Sequence, residues 1–501
     1  MNVFNNKKSL LVFLSILAWL ILFGVGLSKH EFWRDEMRAL SIAISAPTFA
    51  ELPLYLKNEG HPILWYAALK LAYNCFNATW VLPLVSFIFS FGIVLMVMFR
   101  SPFPLLIKLL LIFGVYCLYE YGINARNYGI GAFFMLLYAD SFSRSPNKIA
   151  LAFFWLSLAA LTNVYATMLV GLIGAYTFLE YKNVNGFTTA LKLSCILLLA
   201  AIGFSFYTML PDANSLVASK KIIDFVSIKE LWVIGYGFDD YLNYQMHFSA
   251  YALSLLLVGG LLIFLPKLKT VLFLTLALLA MVFFSICIKG NLMHHQGMYF
   301  YTVVVFAWLQ YDTIQATLAR KNMLSLLVLT GIVVNVFVLG VQVLKGYEKY
   351  RDDIVSYRSE SKRFGNWCQQ NLTESAVLIA EPDFTMEGVL YYHNKPYFIP
   401  RENRWGTYVH FTKANQAYLN LETLMFKANQ LSPSKEKVFV VFDKKIPVLD
   451  TIFSYSYGKK FEVSKSASKA FYEQYQLIDS FNQNHHNEEN YFIYQKNKVG
   501  R

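Results

Sequence analysis

Pro62-Ile-Leu-Trp-Tyr-Ala-Ala-Leu-Lys-Leu-Ala-Tyr-Asn-Cys-Phe76 is the stretch on which the topology of the whole chain turns. It is apolar but short, and it carries Lys70 and Asn74. Ala67, Lys70, Asn74 and Asn77 fall on one helical face, the pattern of a helix lying at a membrane interface. The basic residues of the other loops decide whether it spans. If it does not, Lys7/Lys8, Arg100/Lys108, Arg144/Lys148, Lys182/Lys192, Lys267/Lys269 and Arg320/Lys321 all share one side. Positive residues in short loops mark the cytoplasm. If it did, every later pair would be moved outside, so the non-spanning reading is preferred.

The frame for that choice is set by composition. The chain has 501 residues, 56% of them hydrophobic, 17% aromatic and only 15% charged, against about 25% charged in soluble domains. Long charge-free apolar runs recur through the first two thirds, and a bilayer crossing needs roughly 20 such residues because backbone groups in hydrocarbon must be satisfied internally. The expected spans are about 9–28, 80–99, 104–120, 127–142, 148–162, 164–181, 188–209, 249–265, 270–288, 297–311 and 322–344. The Leu10–Leu27 run is longer than a signal-peptide core of about 7–15 residues and no A-x-A site follows, so it reads as the first span. The fold class is therefore a polytopic α-helical membrane protein of about 11 transmembrane helices, N-terminus in and C-terminus out. The net charge of +12 belongs to loops flanking apolar segments and is better explained by topology than by nucleic acid. Five scattered cysteines show neither a metal-type spacing nor a disulfide framework.

Residues 1–344 form the transmembrane domain, with outer loops at 29–79 and 211–248. From about Gly346 the composition becomes that of a soluble domain, and 345–501 reads as an α/β unit on the outer side. Ala376–Ala380, Tyr397–Ile399 and Val438–Phe442 are its strand candidates, 414–430 has helical spacing, and Asn490–Tyr494 alternates like an edge strand.

Ionisable residues gather at span ends and leave span interiors nearly uncharged. Ion-coupled transporters place such groups near the midplane, so the pattern disfavours a transporter or flippase and points to a site at the outer surface. A non-catalytic envelope assembly protein is the other rival. The first outer loop opens Lys29-His-Glu-Phe-Trp-Arg-Asp-Glu-Met-Arg38, setting Asp35 and Glu36 side by side despite their repulsion, and re-enters at Glu59-Gly-His-Pro62. A second constellation is Tyr119-Glu-Tyr-Gly-Ile-Asn-Ala-Arg-Asn-Tyr-Gly129, where Arg126 either snorkels to headgroups or grips a phosphate with its planar fork. Lys289 and His294, in Lys289-Gly-Asn-Leu-Met-His-His-Gln296, are further phosphate candidates. Asp239/Asp240 read better as a solvated turn.

The Asp-Glu after the first span, Gly-His-Pro entering an apolar helix and Tyr-x-x-x-Ala-Arg-x-Tyr (Tyr121 to Tyr128) together resemble C-type (GT-C) glycosyltransferases. The nearest groups are RgtA/B/C/D-like, ArnT-like and protein O-mannosyltransferase-like enzymes. The resemblance covers most of the chain, including Leu390-Tyr-Tyr-His-Asn-Lys-Pro396 in the outer domain. Ile63 and Asn127 depart from the commoner pattern. The resemblance implies an inverting enzyme of the cytoplasmic (inner) membrane, with its active site and C-terminal domain on the periplasmic side. It would take a sugar from a polyprenyl-phosphate donor and pass it to lipid A, another glycolipid, a polysaccharide or a protein. Asp35 and Glu36 are then the catalytic pair, with Asp35 as general base. Arg126, Lys289 and His294 hold the donor phosphate, and His61 and Tyr128 contact donor or acceptor. A divalent metal is optional under this reading.

Overall fold

The computed structural model describes residues 7–216, 250–287, 293–356, 358–431, 437–483 and 489–497. The first helix, α1 (Lys7–Lys29), is followed by three short helices, α2 (Arg34–Ser45), α3 (Leu52–Tyr55) and α4 (Leu64–Phe76). The bundle continues with α5 (Val81–Leu95), α6 (Leu105–Phe113), α7 (Tyr128–Arg144), α8 (Ile149–Ala160), α9 (Val164–Asn185) and α10 (Thr189–Met209). It closes with α11 (Ala250–Leu261), α12 (Leu268–Cys287), α13 (Met293–Leu309), α14 (Tyr311–Ala319) and α15 (Met323–Val355). π-helical segments Met96–Arg100 and Tyr116–Ile123 extend α5 and follow α6. Side-chain caps set several starts: Asn163 accepts from Ala166 N, Thr188 from Leu191 N and Asn322 from Ser325 N.

Among the described residues, seven helical segments are long and apolar enough to cross a membrane, judged by length and composition. They include Ser9–Lys29, Val81–Arg100, Leu105–Ile123, Val164–Asn185, Thr189–Met209 and Met323–Val355. The seventh, Leu255–Phe284, takes in parts of both expected spans 249–265 and 270–288, which form the separate helices α11 and α12 joined by a 3-10 turn, Leu262–Lys267. The expected spans at 127–142, 148–162 and 297–311 are helical too, but as α7, α8 and α13 they are shorter than the other crossings. Close approach of α15 to that turn requires a small residue: a Cβ on Gly331 would sit 2.6 Å from Ile263 N.

Side-chain pairs show which helix ends lie together. Asn127 and Asn163 bind each other's neighbourhoods (Asn127 Nδ2 to Thr162 O, 3.2 Å; Asn163 Nδ2 to Asn127 O, 3.4 Å), so α7 and α9 start at the same end. At their opposite end Asp140 accepts from Arg100 and Arg144, and Glu180 accepts from Lys267 and Lys269. The basic loop residues named here therefore cluster at one end of the bundle, and the short helices α2–α4 at the other.

At 13 residues α4 is about 20 Å long, too short for a hydrocarbon core of about 30 Å. The expected polar face is corrected in one respect. Lys70 is buried rather than turned to the interface, and its Nζ donates to the Ala46 carbonyl and, at 3.4 Å, to Ala43 O at the end of α2. An ammonium there satisfies carbonyls that the helix leaves open and complements its negative end.

Helix α15 runs past residue 344 to Val355 before the chain enters the C-terminal unit. That unit contains a six-stranded sheet built from β1 (Val377–Glu381), β2 (Tyr397–Ile399), β3 (Arg404–Gly406), β5 (Val438–Phe442), β8 (Tyr475–Phe481) and β9 (Tyr491–Lys496). The order is β3-β2-β1-β5-β9-β8, with β1 parallel to β2 and β5 and the outer pairs antiparallel. A second sheet has β4 (Tyr418–Asn420), β7 (Lys460–Val463) and β6 (Thr451–Ser454) in that order. Helices α16 (Ser361–Asn371), α17 (Met386–Val389), α18 (Leu421–Leu431) and α19 (Lys465–Gln474) complete the α/β unit. Two expectations change here. The 414–430 stretch splits into strand β4 and helix α18, and β9 lies inside the sheet because β8 pairs along its outer side. Its alternation reflects unequal cover on the two sheet faces, which sequence does not distinguish from an edge.

Candidate active site

Three helix-linked segments and the C-terminal unit meet at the start of α2. The unit fixes the backbone there: Phe32 N donates to Tyr392 Oη at 2.9 Å, Arg34 N donates to Glu489 Oε1 at 2.9 Å, and Ser361 Oγ donates to Phe32 O at 2.8 Å. The Leu390–Pro396 motif contributes directly, since the Tyr391 ring lies 4.2 Å from that of Phe32. Burial pushes the Glu489 carboxyl up to about 7, against the pull of Arg34.

The adjacent carboxylates have different surroundings. Glu36 is fully buried and saturated: Ala125 N donates to it at 2.7 Å, Trp33 N at 3.3 Å and His30 Nε2 at 2.9 Å. His30 is itself held on its other side by Asp353 Oδ2 at 2.6 Å. Burial alone would lower the His30 pKa, but Glu36 and Asp353 raise it to about 10, so it is an imidazolium donating to both. Asp35 instead retains 34% side-chain exposure and faces a cavity of about 100 Å³. Arg34 Nε lies 3.3 Å from its Oδ1 and Arg126 Nη2 lies 3.6 Å from its Oδ2.

Arg126 is the other pole of the cavity. Its Nη1 is 3.3 Å from His294 Nε2, and since a guanidinium only donates, the His294 proton belongs on Nδ1. Tyr121 Oη donates to the His294 carbonyl at 2.7 Å and anchors the start of α13. Tyr128 is buried beneath, its ring centroid 5.5 Å from the Arg126 guanidinium carbon and 5.0 Å from the His294 ring. His61 lines the same cavity. Gly60 precedes it with φ +71°, a left-handed conformation that bends the chain from Glu59 into the His-Pro entry of α4. The structure thus brings Asp35, Arg126, His294, His61 and Tyr128 together and sets Glu36 behind them. Lys289 and Asp239/Asp240 lie outside the described residues.

Sequence reasoning did not single out Arg34, Arg38, Glu59 or Phe411, all of which line the cavity. Arg38 is buried and fully engaged: Glu59 accepts at 2.6 and 2.8 Å, Glu387 at 2.6 Å and Val409 O at 3.0 Å, and Phe411 stacks 3.9 Å from its guanidinium carbon. The recurrence of arginine at i and i+4 across Asp35-Glu36 was the available signal for Arg34 and Arg38. Nothing near residue 36 could announce Glu387 or Phe411.

Among the described residues no group of three or more His, Cys, Asp or Glu side chains is placed to hold a metal ion. Asp35 has guanidinium groups for neighbours and Glu59 is taken by Arg38. Those residues do not fit a divalent cation. Chemically, the cavity pairs a proton-accepting carboxylate with a cation fork suited to phosphate.

No family model matches the chain, and no curated protein matches it. Among solved structures, the chain is similar to ArnT. The crystal structure of ArnT from Cupriavidus metallidurans bound to undecaprenyl phosphate aligns at 14% identity and TM-score 0.46, over 97% of this chain and 98% of that one. The apo state of the same protein aligns at 12% identity and TM-score 0.48, over 98% of each chain.

Proposed function

We propose that the protein is an inverting glycosyltransferase of the cytoplasmic membrane that takes a sugar from a polyprenyl-phosphate donor and passes it to an envelope acceptor on the outer side. The observation that carries this reading is the part-exposed Asp35 carboxylate at the membrane-end cavity, with the Arg126 fork 3.6 Å away. The ordered motifs around Asp35, His61 and Arg126 and the grouping of basic loop residues at the opposite end support it.

Asp35 accepts the proton of the acceptor hydroxyl as that oxygen bonds to the anomeric carbon. The bond from that carbon to the phosphate oxygen breaks, and its electron pair leaves with the lipid phosphate. Arg126 stabilises the charge that grows there, and His294 holds the guanidinium through Nε2. Displacement from the opposite face inverts the anomeric centre. Glu36 serves by fixing the start of α2 and the Ala125 backbone next to Arg126.

Purified protein in lipid nanodiscs, given radiolabelled polyprenyl-phosphate sugar and an envelope extract, tests the reading. Transfer is expected for the wild type and abolished in Asp35→Asn with unchanged folding. Full transfer by the variant rejects the catalytic assignment.

A further inference from the structure

A slot of about 190 Å³ lies between the helices at the basic end of the bundle, away from the catalytic cavity. Helices α6, α13, α14 and α15 bound it, and its deep part is apolar: Leu111, Phe300, Val304 and Val338 line it and are buried. Asn335, also on the wall, spends its amide on Gly260 O and Gly331 O at 2.9 and 2.8 Å. Polar groups reach the rim through Tyr311 and Gln315 of α14, where Gln315 and Pro104 are exposed. From Pro104 to Leu111 the α6 wall rises about 10 Å, roughly a third of a hydrocarbon core of about 30 Å.

The space is larger than an apolar cavity of about 150 Å³ that stays dry and takes up benzene. Left empty, it would forfeit the packing contacts of every side chain on its walls. A helix, about 10 Å across with its side chains, is too thick to fill it, which argues against a second copy or a partner helix. A hydrocarbon chain is thin, apolar and already present in the surrounding bilayer. Charge at the rim narrows the choice of lipid. The two segments that carry the rim, 100–108 and 311–321, hold Arg100, Lys108, Arg320 and Lys321 against Asp312. Arg100 is shared with Asp140, which leaves the other three in excess, and Arg320 and Lys321 are exposed. Basic clefts between membrane helices hold anionic lipid headgroups.

We infer that this slot holds one acyl chain of an anionic phospholipid from the leaflet at the basic end, with the lipid phosphate among the basic residues of the rim. The inference is independent of glycosyl transfer, since it uses no residue of the catalytic cavity.

Photolabelling of the full-length protein tests it. The protein is placed in phosphatidylcholine nanodiscs that contain a small fraction of phosphatidylglycerol with a mid-chain diazirine, irradiated, and mapped by peptide mass spectrometry. Labelling is expected to concentrate on 300–307 and 332–339, and to be lost there in Ala307→Trp, which fills the slot. The same diazirine carried on phosphatidylcholine should label the slot about tenfold less, and Arg320→Gln/Lys321→Gln should bring phosphatidylglycerol down to that level. The exposed Leu193, Ile196 and Leu199 of α10 report ordinary lipid contact. Slot labelling no stronger than theirs, or equal labelling by the two lipids, overturns the inference. So does displacement of the label by polyprenyl phosphate but not by unlabelled phosphatidylglycerol, which would make the slot a place for the donor tail. Should Ala307→Trp not fold, the exposed Arg320/Lys321 variant and the competition on the wild type decide.

Discussion

Both ends of the helix bundle carry cation–carboxylate pairs, and they use them differently. At the end that carries the basic loops, Arg100 and Arg144 clasp Asp140 with 47% and 49% of their side chains exposed. At the other end, His30 links Glu36 to Asp353 and Arg38 links Glu59 to Glu387 in near-complete burial. Exposed pairs are screened and lose side-chain entropy, so they contribute little. Buried charges are costly unless every partner is present, so each buried pair holds its elements in one arrangement. The first end ties basic loop residues to the helices; the second shapes a cavity.

Substitutions should separate these roles. The largest effect is expected for Asp35→Asn, a loss of about 10²–10⁴-fold in transfer rate, as for removal of a general base, with the thermal midpoint held. A parallel fall in thermal midpoint would make Asp35 one more structural charge. Next, Arg38→Met should destabilise by about 3–5 kcal/mol, because Glu59 and Glu387 are left buried without their partner. Denaturant or thermal unfolding checks this, and a near-neutral result would place the pair with the exposed class. Arg126→Lys keeps the charge but loses the fork, and should cost about tenfold in donor kcat/KM. Unchanged donor kinetics would remove Arg126 from the phosphate role.

A smaller effect concerns pH. His30 has its pKa raised to about 10 from 6.5, so its stabilisation is complete below pH 6.5 and is lost as pH rises toward 10. The slope per proton is at most about 1.4 kcal/mol per pH unit. Glu31 and Glu489, raised from 4.5 to about 7 mainly by burial, lose their contribution between 4.5 and 7 in the same direction. Thermal midpoints should therefore decline from weakly acidic to alkaline pH, and His30→Gln should flatten the decline between pH 7 and 10. The smallest effect is expected for Arg144→Ala, with neither transfer nor thermal midpoint measurably changed. A clear loss there would erase the contrast between the two ends.

Much of the site was legible because its residues sit at span ends, where charge is conspicuous against apolar runs. Asp35, His61, Arg126 and His294 stood out in this way, and they meet in space. The positions that stayed hidden were those whose meaning depends on a distant partner. Lys70 looked like an interfacial residue until its ammonium was seen closing the end of α2. Glu387, Glu489 and Phe411 are more than 300 residues from α2 in the chain, and no local pattern connects them to it.

The sequence by itself determined the class of molecule, a helical membrane bundle with an α/β appendage, because apolar run length and loop charge act locally and additively. Only the tertiary structure decided which of two adjacent carboxylates faces the cavity. Successive helix residues point in different directions, and here Glu36 turned inward to the His30 imidazolium and the Ala125 amide while Asp35 turned toward Arg126. Only the tertiary structure, too, decided that the C-terminal unit is part of the site, since long-range hydrogen bonds from Tyr392, Glu489 and Glu387 hold the start of α2 in place.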